Sequence, residues 1–361
     1  MKLSIICYLS DDKKLNQTTV EALEKMASYS LEHDNQVTVA GKHVDKKYNN
    51  GKKDSVIASY EVEVILNTDR VQDDRSWYEN VITRIGNHAF TSKVNKETYV
   101  SEQDAHQKMA EKASGDYIMI INAGDDISSN LAEVFVKGNV QCYDMDTYMI
   151  TKAFHDETFG AFRTYKKVTD GEDIKSFYII DLKSKYDCFP FGFGGVIIRA
   201  EAFKKQSVDP ALGLEAERDF MLRLMAKAMK TCFLPYATLT AYEYEEHDNT
   251  FYRGLYMREW YFESITDFWM PFLQEMKVTY GSIPVFIQYN FMYSIMARFN
   301  GNMDNKNKHV IEEGHGEEYL ELIGQALRLI EENIMLNRNK VVDCITGDTM
   351  KWVYGILRNG K

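Results

Sequence analysis

The chain has 361 residues, of which 45% are hydrophobic and 27% charged, with a net charge of −11 and a pI near 5.3. That balance sustains about two domains with a sizeable core and excludes a largely disordered chain. The acid excess excludes broad nucleic-acid binding, which needs lysines and arginines to neutralise phosphates. A nucleotide diphosphate stays within reach of an acidic protein if a cation mediates the contact. The five cysteines, Cys7, Cys142, Cys188, Cys232 and Cys344, are odd in number and lack C-x-x-C spacing. Neither a disulfide framework nor a zinc site is expected, and a reducing cytoplasm is the natural home. The apolar run at Leu3–Cys7 is too short for a signal peptide. No stretch reaches the roughly 18 apolar residues of a membrane span. Aromatic residues make up 13%, which fits a large aromatic core or a Tyr-lined sugar groove.

In chain order, Leu3–Leu9 reads as a buried strand and Asn16–Glu32 as a helix with Val20, Leu23, Met26 and Ala27 on one face. Residues 41–55, rich in Lys, Asn and Gly, read as a loop. Val62–Leu66 is a second strand, a helix follows near 101–113, and Tyr117–Ile121 is a third strand apolar throughout, as suits a strand covered on both faces. Tyr148–Ile150, Gly195–Ile198 and Cys232–Leu234 are strand-like, with a helix over 217–229. The alternation predicts an α/β fold with a mostly parallel central sheet and helices on both faces. Beyond residue 250 the pattern becomes helical and aromatic, through Tyr252–Met276, Pro284–Phe299 and Glu317–Met335, with a polar connector at 302–316. The expected division is a catalytic domain over 1–250 and a helical region over 251–361.

The chemistry concentrates where the third strand runs into Asn122-Ala123-Gly124-Asp125-Asp126. Open α/β sheets bind ligands just outside the carboxyl ends of their strands, and carboxylates there can hold a hard cation. The same residue types also make a strand-ending Asx turn, so both readings stand at this point.

The stretch Ala113-Ser114-Gly115-Asp116-Tyr117-Ile118 through Asp126 resembles the A-S-G-D-Y-I … D-x-D-D signature of glycosyltransferase family 2, whose fold is GT-A. Three further pieces resemble the family in order and spacing over about residues 2–250: Ser4–Asp11 (S-I-I-I-P-x-Y-N), Glu63–Asp69 (E-I-I-x-V-D-D) and Asp104–Gly115 (A-R-N-x-G…A-x-G). In the last, His106-Gln107 replaces the family's Arg-Asn pair. In the metal motif, Asn122 and Gly124 replace acids, so the resemblance implies Asp125 as principal ligand of Mn2+ or Mg2+, helped by Asn122, Asp126 and His247. His247 lies in Tyr242–Thr250, similar to the family's Y-x-x-R-x-H-x-x-S; its bland reading is a surface histidine. The resemblance further implies that Tyr8, Leu9, Asp11, Asn122 and Gly124 border the nucleotide, with Asp69 facing a uracil or acting merely as a cap.

An acceptor hydroxyl needs a general base, normally a carboxylate. Leu212–Leu224 resembles the family's E-D-x-D-F-x-x-R-L, and alignment on Phe220 and Arg223 places the base at Glu217, with Glu215 and Asp219 in reserve. Acids at a helix start also suit its dipole. Phe193, Gly194 and Gly195 fall where the family holds donor sugar and acceptor, or else form a loop with core aromatics. Ile283–Tyr293 is similar to a stretch that follows such domains in bacterial capsule and wall-polymer transferases.

The expectation is an inverting hexosyltransferase of the cytoplasm. It moves a hexose or N-acetylhexosamine from a UDP-sugar to a bacterial surface glycan, glycolipid or glycoprotein. The C-terminal aromatic faces call for the catalytic domain, a second copy of the chain or, third, the inner face of the membrane; the mixed charge of 252–276 favours protein packing. The rival expectation is a weak or inactive relative that binds glycan or partners a transferase.

Overall fold

The computed structural model describes residues 1–39, 55–68, 75–87, 90–142, 145–154, 175–185, 189–241, 254, 256–303, 310–311, 314–335 and 355. The expected loop at 41–55, Asp69 and the 242–250 segment with His247 lie wholly or almost wholly outside them.

The strands are β1 (Lys2–Tyr8), β2 (Gln36–Val39), β3 (Val56–Ser59), β4 (Glu61–Asn67), β5 (Thr91–Asn95), β6 (Tyr117–Asn122), β7 (Asp125–Ile127), β8 (Thr147–Phe154), β9 (Tyr178–Asp181), β10 (Val196–Arg199) and β11 (Lys230–Ala241). Helices α1 (Lys13–Glu32), α2 (Arg75–Asn87), α3 (Glu102–Lys112), α4 (Leu131–Gln141), α5 (Ala200–Lys204) and α6 (Ala216–Ala228) intervene. Among the described residues a nine-stranded sheet runs β5-β4-β1-β6-β10-β8-β11-β7, with β9 also on β11, and β2 pairs β3 separately. The β5-β4-β1-β6 half is parallel; β10 enters antiparallel, and the second half is mixed.

Local chemistry sets these elements. The runs of β1 and β6 are apolar on both faces and are buried on both, as parallel strands under helices must be. Asp12 starts α1, its carboxylate accepting from the Lys14 and Leu15 backbone N–H groups at 2.7 and 3.2 Å. Ser101 caps α3 through Asp104 N–H at 3.2 Å. The buried face of α3 consists of Ala105, His106, Met109 and Ala110. Gly115 allows β1 and β6 to meet closely, because a Cβ there would lie 2.7 Å from the Ser4 backbone nitrogen.

Glu63, fully buried in β4, ties three elements together. It accepts from Ser4 Oγ (2.6 Å), Ser114 N–H (2.8 Å) and Lys93 Nζ (2.6 Å). Burial alone pushes its carboxyl up; the Lys93, Ser4 and Ser114 hydrogen bonds outweigh this and hold it down at about 2. A depressed carboxylate stabilises the fold above its unfolded pKa, and that stability is lost as pH falls through the folded value. Melting followed by circular dichroism should therefore show stability falling from about pH 4.5 toward pH 2, and the Glu63→Gln protein should lose much of that slope.

By contact density the chain forms two units: Met1–Asp181, Pro190–Pro210 and Glu217–Glu243 make the first, and Leu182–Phe189, Ala211–Ala216 and Tyr244–Lys361 the second. The second unit holds α7 (Arg258–Tyr261), a π-helical turn at Ser264–Trp269, α8 (Met270–Tyr280), α9 (Val285–Met303), α10 (Gly316–Leu327) and α11 (Glu332–Met335). Its aromatics bury one another: Trp269 packs on Phe291 at 5.2 Å between ring centres, and Tyr319 packs on Tyr261 and Phe262 at 5.8 and 5.5 Å. No helix among the described residues is long and apolar enough to cross a membrane.

Candidate active site

The sheet order itself marks a crevice. Strand β1 lies between β4 and β6; the chain first winds from β1 toward β4 and β5, then returns on the other side as β6. Where winding reverses, the carboxyl ends of two parallel strands open a cleft that loops cannot fill. Here those ends are Tyr8 and Asn122, paired in register.

The chain leaves β6 through a tight turn docked on α1. Thr19 Oγ1 donates to Asn122 C=O (3.2 Å) and accepts from Gly124 N–H (2.9 Å), while Asp125 Oδ2 accepts from Asn122 N–H (2.8 Å). Gly124 has φ 93°, a left-handed conformation in which an acidic side chain is strained. Asp125 then opens β7, opposite Ala241 of β11. It is 7% exposed, and burial pushes its carboxyl up to about 6. Lys152 is the main opposing attraction, followed by the Asn122 N–H; Glu102 and Glu217 push upward. Asp126 follows Asp125 in the strand and so projects to the opposite face. Asn122 is exposed.

Opposite this turn lies a second cluster. Glu217, in the first turn of α6, receives His106 Nδ1–H on Oε1 (3.2 Å) and Phe193 N–H on Oε2 (3.1 Å). Glycine at 192 permits this, since a Cβ there would stand 2.7 Å from Glu217 Oε2. Burial pushes the Glu217 carboxyl up, but the His106 hydrogen bond and charge, the Phe193 N–H and Lys152 together bring it below the usual range. Burial likewise lowers His106, and the Glu217 bond and charge, Glu102 and Asn122 more than reverse it, leaving the imidazole above its usual value. The Glu217 side chain keeps 25% exposure, whereas His106 has none, so of this pair only the Glu217 side chain reaches the surface. Tyr8 packs edge-on against His106 at 6.2 Å, and His106 against Phe193 at 6.0 Å, which joins β1 to this cluster.

The sequence-predicted residues thus separate. Tyr8, Asn122, Asp125, Phe193, Gly194, Gly195 and Glu217 gather at one end of the sheet. Leu9 is fully buried in the main core, while Asp11 is exposed just before the cap of α1. Phe193 presents its backbone to Glu217 and packs its ring on Phe203 and Phe220, at 5.6 and 5.3 Å. Asp219 bonds Arg223 Nε at 2.7 Å, one helical turn on. Glu215 bonds Arg298 Nη2 (2.9 Å) and Ser264 Oγ (2.7 Å) inside the second unit. Two residues escaped the sequence reading as site groups. His106 was signalled by a polar side chain on the apolar face of α3, and Lys152 by a cationic residue just after the apolar start of β8.

As a divalent-cation site the cluster is thin. Among the described residues no three His, Cys, Asp or Glu side chains converge. Asp125 turns one oxygen onto its own turn, and Gly124 cannot carry an acid without strain. Hard cations take six or more oxygens, usually with several carboxylates. The described residues do not fit that demand, and His247 lies outside them.

No family model matches the sequence, and no curated protein does. By fold, the S. aureus TarS 1–349 structure in complex with UDP-GlcNAc matches with a TM-score of 0.51, 12% identity, and coverage of 100% of this chain and 93% of that one. The longer S. aureus TarS structure gives 0.49 at 10% identity over 93% of this chain, which spans 50% of the TarS length. GalNAc-T7 with UDP, GalNAc and Mn2+ gives 0.42 at 11% identity, covering 87% of this chain and 56% of that one. The fold is therefore a GT-A-like α/β arrangement with added C-terminal helices.

Proposed function

We propose that this chain is an inverting glycosyltransferase that takes a sugar, a hexose or N-acetylhexosamine, from a UDP-linked donor and passes it to a hydroxyl of a bacterial surface glycan, glycolipid or glycoprotein. The observation that carries the reading is Glu217: an ionised carboxylate on a partly exposed side chain, fixed by His106 and a backbone N–H, beside the switch-point crevice. A base so oriented removes the acceptor proton as the hydroxyl attacks the anomeric carbon from the face opposite the departing diphosphate. The fold shared with a UDP-GlcNAc complex supports the donor class. In this reading Tyr8 and Asn122, paired at the strand ends, border the nucleotide.

The test is a donor-hydrolysis and binding screen over UDP- and GDP-sugars, run with and without manganese. Release of UDP from at least one UDP-sugar is the expected result. A folded protein that neither hydrolyses nor binds any nucleotide would overturn the reading in favour of a non-catalytic glycan-binding or partner protein. The altered acidic motif at Asn122 and Gly124 is the observation on that rival's side.

A further inference from the structure

A diphosphate approaching this crevice meets an electrostatic difficulty. Glu102 and Glu217 act on Asp125 as like charges, and the donor brings more negative charge beside them. Phosphates arriving at such a place need a compensating cation, and the acids among the described residues do not assemble a divalent-ion site.

The chain carries its own cation there. The β8 run Tyr148-Met149-Ile150 is buried, and Lys152 emerges from it half-buried. Its ammonium lies along the Gly194 backbone: a Cβ on Gly194 would stand 2.5 Å from Lys152 Nζ and 3.3 Å from Cε. Glycines 192 and 194 thus act as a pair. The first leaves room for the Glu217 carboxylate and the second for the Lys152 ammonium, on either side of the Phe193 N–H that holds Glu217. The ammonium reaches both acids electrically, as the leading attraction on Asp125 and a lesser one on Glu217. A lysine, with three rotatable donors on a flexible stem, serves phosphate oxygens as a mobile point charge.

The geometry points to Lys152 as the group that binds and neutralises the donor's diphosphate, so that nucleotide binding proceeds without a divalent cation. This rests on the glycosyltransferase reading above. As the bond between the anomeric carbon and the β-phosphate oxygen breaks, its electron pair stays on that oxygen. Lys152 keeps its proton throughout and stabilises the charge by position alone.

Calorimetry with UDP as probe tests this on the full chain, in EDTA and then in manganese, for the wild type and for Lys152→Met and Lys152→Arg, with circular dichroism to confirm folding. The expected result is wild-type binding in EDTA, a loss of affinity of about 10-fold or more in Lys152→Met, partial retention in Lys152→Arg, and no recovery of Lys152→Met on adding manganese. Wild-type binding that appears only with manganese, or Lys152→Met binding as the wild type does, overturns the inference and leaves the transferase reading intact. A folded wild type that binds no nucleotide with or without metal overturns both.

Discussion

Glu217→Gln is expected to slow donor turnover by about 10²–10⁴, the range that a positioned general base contributes, while leaving the fold and UDP affinity nearly unchanged. The substitution is close to isosteric. Gln Oε1 can still accept the Phe193 N–H, and Gln Nε2 can face a neutral His106 Nδ1, so both contacts of the native carboxylate have a counterpart. What disappears is the basic lone pair. Steady-state kinetics on the best donor from the screen, with calorimetry for UDP, separates the two effects. Unchanged turnover would remove Glu217 from the chemistry.

The His106 bond gives this prediction a pH signature. The Glu217 carboxyl is depressed, so its contribution to stability is present above 4.5 and is lost as pH falls through the folded value. His106 is raised, so its contribution is full below 6.5 and is lost as pH rises through its folded value. The ion pair is thus strongest between those limits. Converting His106 to Gln leaves burial less opposed at Glu217, so the acid limb of the rate profile should move to higher pH. A histidine that only filled space would leave that limb where it was.

Much of the first unit is legible because its strands are buried on both faces. The apolar runs of β1, β4 and β6 announce themselves without knowledge of their partners. Strand β7 does not, since Asp125-Asp126-Ile127 reads as loop. It becomes a strand because β11, twelve residues long, offers an edge on which Leu239, Thr240 and Ala241 pair with it. Strand β5, Thr91–Asn95, hides for a similar reason: its polar run closes the far edge of the sheet on β4. The candidate site divides the same way. That an acid near the start of α6 faces the crevice follows from local pattern, but choosing Glu217 over its neighbours depends on residues far away in sequence. His106 lies 111 positions from Glu217, and Arg298 lies 83 from Glu215. The missing acid at 124 has a conformational cause, because the positive φ of Gly124 lets the turn fold back so that Asp125 caps Asn122 N–H.

Arg298 carries the largest expected effect on stability. Nothing in the aromatic run of α9 marks it, yet it is fully buried with its donors engaged: Nε on Trp260 C=O (2.7 Å), Nη1 on Ser294 C=O (3.0 Å), and Nη2 on Glu215 (2.9 Å) and Ser264 Oγ (2.6 Å). Its guanidinium also lies 4.2 Å from the Trp260 ring centre. Replacing it with Met keeps apolar bulk but takes the guanidinium away from the Glu215 carboxylate, itself 3% exposed. Breaking a buried pair from one side costs roughly 3–5 kcal/mol, because a charge is left uncompensated. Arg298→Met should therefore lower the melting temperature by about 10 °C, at roughly 2–4 °C per kcal/mol for a chain of this size. Arg298→Lys should recover only part of the loss, since an ammonium cannot span Trp260, Ser264 and Glu215 at once. The double replacement Arg298→Met with Glu215→Leu removes both charges and should melt well above the Arg298→Met protein. Equal melting of the single and double variants would mean that the cost lies in the lost backbone bonds to Trp260 and Ser294, and not in the Glu215 carboxylate.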